Sequence, residues 1–213
     1  MSAAPPTAAD TASACVNALY ALLLKHATDN LALRQVVHRP ALFDDDWLGA
    51  AQLSPQGPHG DWLVTLAGTA GLQRSPDERD LADAYRAHAR TRVYENIHTR
   101  TSGWAALVAL HLARLTRRQI PCTLYHSVHG DDSLGAHVDH WDGIILQLHG
   151  AKRWTITDTT ATNRDIVTEA GDVLLLPADV QHEVTTPRES AHLVFALTRY
   201  PLPARPGDPL PPP

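Results

Sequence analysis

The stretch GAHVDHWD, residues 135–142, places His137 and Asp139 two residues apart. On a strand, side chains alternate between faces, so the two would point the same way. A third ligand must come from another segment. His182, at the end of GDVLLLPADVQH, is the best candidate. Two neutral imidazoles and one carboxylate cover one face of an octahedral metal and leave the other face open, the set found in non-haem Fe(II) oxygenases. The resulting net positive charge suits a bidentate, anionic 2-oxo acid, with one position left for O2. A zinc hydrolase also uses two histidines and a carboxylate, so the ligand set alone leaves both chemistries open.

The elements that must position these residues lie in a second half of distinct texture. Seven of the thirteen histidines fall between His126 and His192. After Gln119 the pattern turns to period two, with strands expected near 120–128, 135–141, 143–149, 152–157, 165–168, 172–176, 181–186 and 190–198. Many short strands separated by turns such as His149-Gly150 and Ala170-Gly171-Asp172 imply a β-barrel or sandwich. The first half reads differently. Helices are expected at 11–27, from Ser75-Pro76-Asp77-Glu78 to about Arg90, and at 101–118. The last of these should bury Trp104, Leu107, Val108, His111, Leu112 and Leu115. Extended pieces are expected at 34–38 and 61–66. Residues 1–10 read as a disordered tail, and 201–213 as a second, with seven prolines in thirteen residues.

At 213 residues and 44% hydrophobic, the chain suits one domain with a real core. A formal charge of −5 gives no basic footprint for nucleic acid. Cys15 and Cys122 make no disulfide framework and read as buried apolar residues. The opening lacks a basic leader, and the first apolar run, 19–24, is too short to cross a bilayer. These features imply a cytoplasmic protein without membrane partners.

The run AGDVLLLPADVQH resembles the second cupin motif: Gly171, five residues, Pro177, then His182 five further on. Asp179 stands where that family usually has glycine, and Asp also tolerates a left-handed turn. The longer stretch HVDHWDGIILQLHGAKRW resembles JmjC-type cupins related to ribosomal oxygenases: His-x-Asp, an apolar strand, a Gly turn, then a basic residue and Trp. The resemblance covers roughly 120–198. It implies a double-stranded β-helix (jelly-roll, cupin) barrel in a mainly β protein with N-terminal helices. The domain would span 11–200, with a helical lead-in and early strands at 11–119 and the barrel core at 120–200.

The resemblance also implies roles. His137, Asp139 and His182 would bind Fe(II). Lys152, fifteen residues after His137 and one of only two lysines, would bind the distal carboxylate of 2-oxoglutarate. Physically, a lone ammonium facing into a barrel beside Trp154 and Ile156 needs an anion. Tyr125 would help hold the same carboxylate, with Thr123 on its strand face. His192 sits where the family often has a polar residue near the metal. His126, His129, His140 and His149 are expected not to be ligands. The implied activity is 2-oxoglutarate-dependent hydroxylation, with O2 and a peptide or protein side chain as partners. A compact member of this type is similar to the histidine β-hydroxylases of thioamitide pathways, which act on ribosomally made peptides. Ribosomal-protein hydroxylation, a non-oxidative metal cupin and a ligand-binding sensor are the alternatives. Trp62, Tyr94 and Trp104 are candidates to flank the barrel mouth and grip a peptide.

Overall fold

A computed structural model describes residues 6–53, 56–57, 60–61, 64–75, 78–99, 103–157 and 162–200. Helix α1 (Ala8–His26) is followed by β1 (Val37–Arg39), α2 (Asp45–Ala50), β2 (Gln56–Gly57), β3 (Gly60–Asp61), β4 (Val64–Gly68) and β5 (Gly71–Arg74). Then come α3 (Glu78–Ala87), β6 (Thr91–Tyr94), a single 3-10 turn (Ile97–Thr99) and α4 (Trp104–Thr116). The second half is all strand: β7 (Cys122–Ser127), β8 (Asp142–Thr157), β9 (Asn163–Glu169), β10 (Val173–Leu176), β11 (Gln181–Thr185) and β12 (Ser190–Leu197).

The long strand β8 organises the barrel. Its first half lies between β10 and β12 in a large antiparallel sheet of order β1-β10-β8-β12-β7-β6-β4-β5. Its second half pairs with β9 and β11 in a smaller sheet. The bend between the halves is at Gly150, with φ +64. A Cβ there would lie 1.7 Å from the Glu189 carbonyl oxygen, so only glycine fits. The segments expected as separate strands at 143–149 and 152–157 are therefore one strand turning a corner. A strand passing from one sheet to the other is what makes the barrel a double-stranded β-helix.

Two apolar clusters flank the large sheet. One packs α1 and α4 against β7, β8, β10 and β12, and holds both buried, unpaired cysteines, Cys15 and Cys122. The other lies inside the barrel around Ile145, Trp154, Ile156, Leu174 and Leu176. Helix α4 buries Trp104, Ala105, Val108, Ala109, Leu112 and Thr116. Leu115 and His111, expected in that stripe, are exposed. The helix turns its small residues Ala105 and Ala109 inward, which rotates the buried face away from Leu115.

The N-terminus also departs from expectation. Residues 8–10 are helical, because Thr7 and Asp10 form a capping box: Asp10 N donates to Thr7 Oγ1, and Thr7 N donates to the Asp10 carboxylate. The expected start of α3 at Pro76 and Asp77, residues 1–5 and the tail 201–213 lie outside the described residues. No helix among the described residues is long and apolar enough to cross a membrane.

Candidate metal centre

The segment 135–141, expected as a strand, is a loop that touches the barrel through one bridge, His137 to His182. Elsewhere its backbone bonds go to other places: the Asp139 carbonyl accepts from Asp179 N at 2.7 Å. Strand parity is thus not what brings His137 and Asp139 together. At the bridge, His137 N donates to the His182 carbonyl and His182 N to the His137 carbonyl, each at 2.9 Å. This reciprocal pair sets the two imidazoles side by side, ring centroids 4.3 Å apart.

Each imidazole is then oriented in the same way. His137 Nδ1 donates to the Gly135 carbonyl at 2.8 Å, and His182 Nδ1 to the Val180 carbonyl at 3.0 Å. A carbonyl only accepts, so both Nδ1 atoms carry the proton and both Nε2 lone pairs are bare. His182 Nε2 lies 3.7 Å from Asp139 Oδ2, and one donor atom from each of the three residues lies within 4.8 Å of the others. Burial raises the Asp139 carboxyl pKa, opposed by His182, His137 and His140. Burial lowers the His182 pKa, with Asp139 pulling the other way. Two bare imidazole nitrogens and a carboxylate oxygen fit a divalent first-row metal.

The three residues open onto a cavity also lined by Tyr125, Lys152, Trp154 and His192. Lys152 is 2% exposed, on the inward face with Trp154 and Ile156. Its ammonium donates to Ser127 Oγ at 2.7 Å and Thr186 Oγ1 at 2.6 Å. Among the described residues it has no carboxylate partner within ion-pair distance. Burial therefore pulls its pKa down from 10.5 to about 8, with only a distant pull upward from Asp131.

Tyr125 and His192 face each other across β7 and β12 and stack in parallel, centroids 5.0 Å apart, while Trp154 meets His192 edge-on. His192 Nδ1 is buried without a hydrogen-bond partner among the described residues. Burial, and then the Lys152 charge, hold this imidazole well below its ordinary pKa and so neutral. Burial likewise pushes the Tyr125 hydroxyl up. Thr123 is half-buried on the same strand and is not among the residues lining the cavity.

The remaining histidines lie elsewhere. His140 is exposed and paired with Asp179 at 2.7 Å. Asp179 takes φ +62, the left-handed turn expected at that position. His126 pairs with Glu189, and with His149 it lines a separate cavity beside α2. Two of the three aromatic residues expected at the mouth lie elsewhere. Trp104 is buried in the helix-side core, Tyr94 lines the cavity beside α2, and Trp62 lies outside the described residues. Ala67, Thr91 and the segment Ser133, Leu134 and Gly135 line that side of the metal cavity instead. Sequence reasoning also missed Ser127 and Thr186, small hydroxyl residues whose only signal is their place beside a lysine in the folded barrel.

The JmjC domain family model matches residues 100–165. The ribosomal oxygenase YcfD from Escherichia coli, in complex with cobalt and succinic acid, superposes with a TM-score of 0.58 at 17% identity. That match covers 83% of this chain and 59% of that one. The chain shares the fold of that oxygenase. The same oxygenase in complex with cobalt and 2-oxoglutarate gives a TM-score of 0.56 at 16% identity, with the same coverage. The chain thus spans about three-fifths of the length of these ribosomal oxygenase chains. No curated protein matches it by sequence. The segment that the JmjC model matches holds His137, Asp139, Lys152 and Tyr125, and His182 and His192 follow on β11 and β12.

Proposed function

We propose that the protein is an Fe(II)- and 2-oxoglutarate-dependent oxygenase that hydroxylates a peptide or protein side chain. The observation that carries the reading is Lys152: a buried ammonium without a carboxylate partner among the described residues, in the same cavity as a bare two-histidine, one-carboxylate set. A stable fold has no use for such a charge unless an anion comes to it. A dicarboxylic 2-oxo acid matches both ends of the cavity, with its 2-oxo-carboxylate end at the metal residues and its distal carboxylate at Lys152. YcfD, bound to cobalt and 2-oxoglutarate in the same fold, supports this assignment.

His137, Asp139 and His182 would hold the metal. Lys152 would pair with the distal carboxylate, and the Tyr125 hydroxyl would donate to it. Neutral His192, wedged between Tyr125 and Trp154, would keep the phenol ring in place and present a polar edge to the co-substrate. Trp141, Ile145, Trp154, Leu176 and Val194 line the cavity with apolar surface and exclude water from the reaction. When bound, Fe(II) with 2-oxoglutarate and O2 supplies the oxidation: one oxygen atom enters a C–H bond, the other enters succinate, and CO2 leaves.

For the substrate, we favour a β-methylene of a peptide residue, histidine among the candidates, as in tailoring of a ribosomally made peptide. Hydroxylation of a ribosomal protein is the second reading, favoured by the likeness to a ribosomal oxygenase. Anaerobic titration of the apo-protein with Fe(II) and then 2-oxoglutarate tests the class. A weak charge-transfer band in the visible, followed by succinate release on admitting O2, is expected. Turnover of a substrate without 2-oxoglutarate would assign the fold to a non-oxidative cupin, and binding without succinate to a sensor. Candidate peptides and ribosomal proteins are then compared by mass gain of one oxygen.

A further inference from the structure

Of the three ligands in the proposed centre, Asp139 is held differently from the histidines. Its carboxylate makes no hydrogen bond among the described residues, whereas both imidazoles are pinned through Nδ1. The position of Asp139 therefore depends on its backbone, and that backbone is tied to the turn 177–179 that leads into His182. One tie is Asp179 N to the Asp139 carbonyl. The second is Asp142, three residues past Asp139 at the start of β8. Asp142 Oδ1 accepts from Ala178 N at 2.9 Å. Its Oδ2 accepts from Leu33 N at 3.3 Å and lies 3.8 Å from the Arg118 guanidinium. Arg118, just past α4, also donates to the Asn30 carbonyl at 2.6 Å. The carboxylate is nearly buried, so the helical layer backs it and the turn hangs from it.

We infer that Asp142 is a positioning residue of the metal centre: through Ala178 N it sets the separation of Asp139 from His182. The inference rests on the reading of His137, Asp139 and His182 as metal ligands. With the Ala178 tie gone, the turn keeps only the Asp179 N bond and the exposed pairs of Asp179 with His140 and Arg199, and the 3.7 Å approach of Asp139 Oδ2 to His182 Nε2 loosens. Outer partners of metal ligands typically change metal affinity about 10–100-fold.

The test is Co(II) titration of apo-protein, followed by d–d absorption, alongside thermal melting. Asp142→Ala should lose at least about tenfold in Co(II) affinity and shift the d–d bands. Asp142→Asn keeps an oxygen for Ala178 N but loses the charge facing Arg118. It should melt lower, yet keep the wild-type spectrum and affinity. Arg118→Gln, which removes the outer partner alone, should behave like the Asn variant. If Asp142→Ala does not fold, Asp142→Glu, which displaces the carboxylate while keeping its charge, should show the affinity loss. Wild-type affinity and spectrum in the variants that lose or displace the carboxylate would overturn the inference. So would equal affinity losses in Asp142→Asn and Asp142→Ala that follow their melting temperatures. If the wild-type protein itself binds no Co(II), the metal reading fails, and the inference with it.

Discussion

Replacing Lys152 by Met should make the apo-protein more stable while removing its affinity for 2-oxoglutarate. The gap between 10.5 and about 8 measures what the cavity costs the ammonium. At about 1.4 kcal/mol for each tenfold change in protonation, that is about 3.5 kcal/mol. Met fills a similar volume without a charge. The loss is the charged donor to Ser127 and Thr186, at about 1.5 kcal/mol for each hydroxyl. The net gain near neutral pH is then about 0.5 kcal/mol, or roughly 1–2 °C in melting temperature for a domain of this size. The pH dependence fixes the cause. Below pH 8 the lysine is charged in both the folded and unfolded states, so the full cost is present. Between pH 8 and 10.5 the unfolded chain binds more protons, so wild-type stability rises relative to the variant. By pH 10.5 the variant's advantage from the charge should be gone. Differential scanning fluorimetry from pH 7 to 10 reads this directly. With a redox-inert metal already present, adding 2-oxoglutarate should raise the melting temperature further in the wild type alone. A variant that melts below wild type by a margin constant from pH 7 to 10 would refute the electrostatic argument. One that still binds 2-oxoglutarate normally would refute the anchor.

Three further outcomes are expected. Asp139→Ala should lose most Co(II) affinity, measured on the apo-protein, while keeping the wild-type circular dichroism, because its carboxylate bonds to no other described residue. Tyr125→Phe should weaken 2-oxoglutarate by about tenfold at most, the worth of one hydrogen bond from a neutral donor, read by isothermal titration with metal present. Gly150→Ala should unfold the barrel or lower its melting temperature more than any substitution at the metal ligands, because the new Cβ would collide with the Glu189 carbonyl at a positive φ.

The residues of the site were easier to read in the sequence than the geometry that joins them. Lys152 was legible because lysine is scarce in this chain and its phase with Trp154 and Ile156 puts it inside. His182 was legible because the Gly171 and Pro177 spacing frames it. The pairing of His137 with Asp139 was anticipated from strand alternation, yet the segment is a loop held by one bridge at His137 and one backbone bond at Asp139. A two-residue spacing in sequence cannot tell a strand from a loop whose backbone is tied at isolated points. The mouth was misread for a related reason. Trp104 and Tyr94 are large and aromatic, and composition cannot say whether such a ring faces a ligand or the core; here burial of the helical layer takes both.

Gly150 and Asp142 show what else the linear pattern hides. The dipeptide His149-Gly150 reads as a turn between two strands, because a left-handed glycine after an apolar run is the usual hairpin signal. Only the approach of the Glu189 carbonyl reveals a corner inside one strand. Asp142 reads as one more charged residue beside a histidine-rich motif. Its partners, Leu33, Arg118 and Ala178, are scattered over the chain, and no spacing rule connects them. The chemistry of such a site is carried by residue types that a motif can list, whereas its precision is carried by backbone bonds between distant segments. Substitutions in the second class should therefore alter metal affinity and spectrum while leaving every ligand in the motif intact.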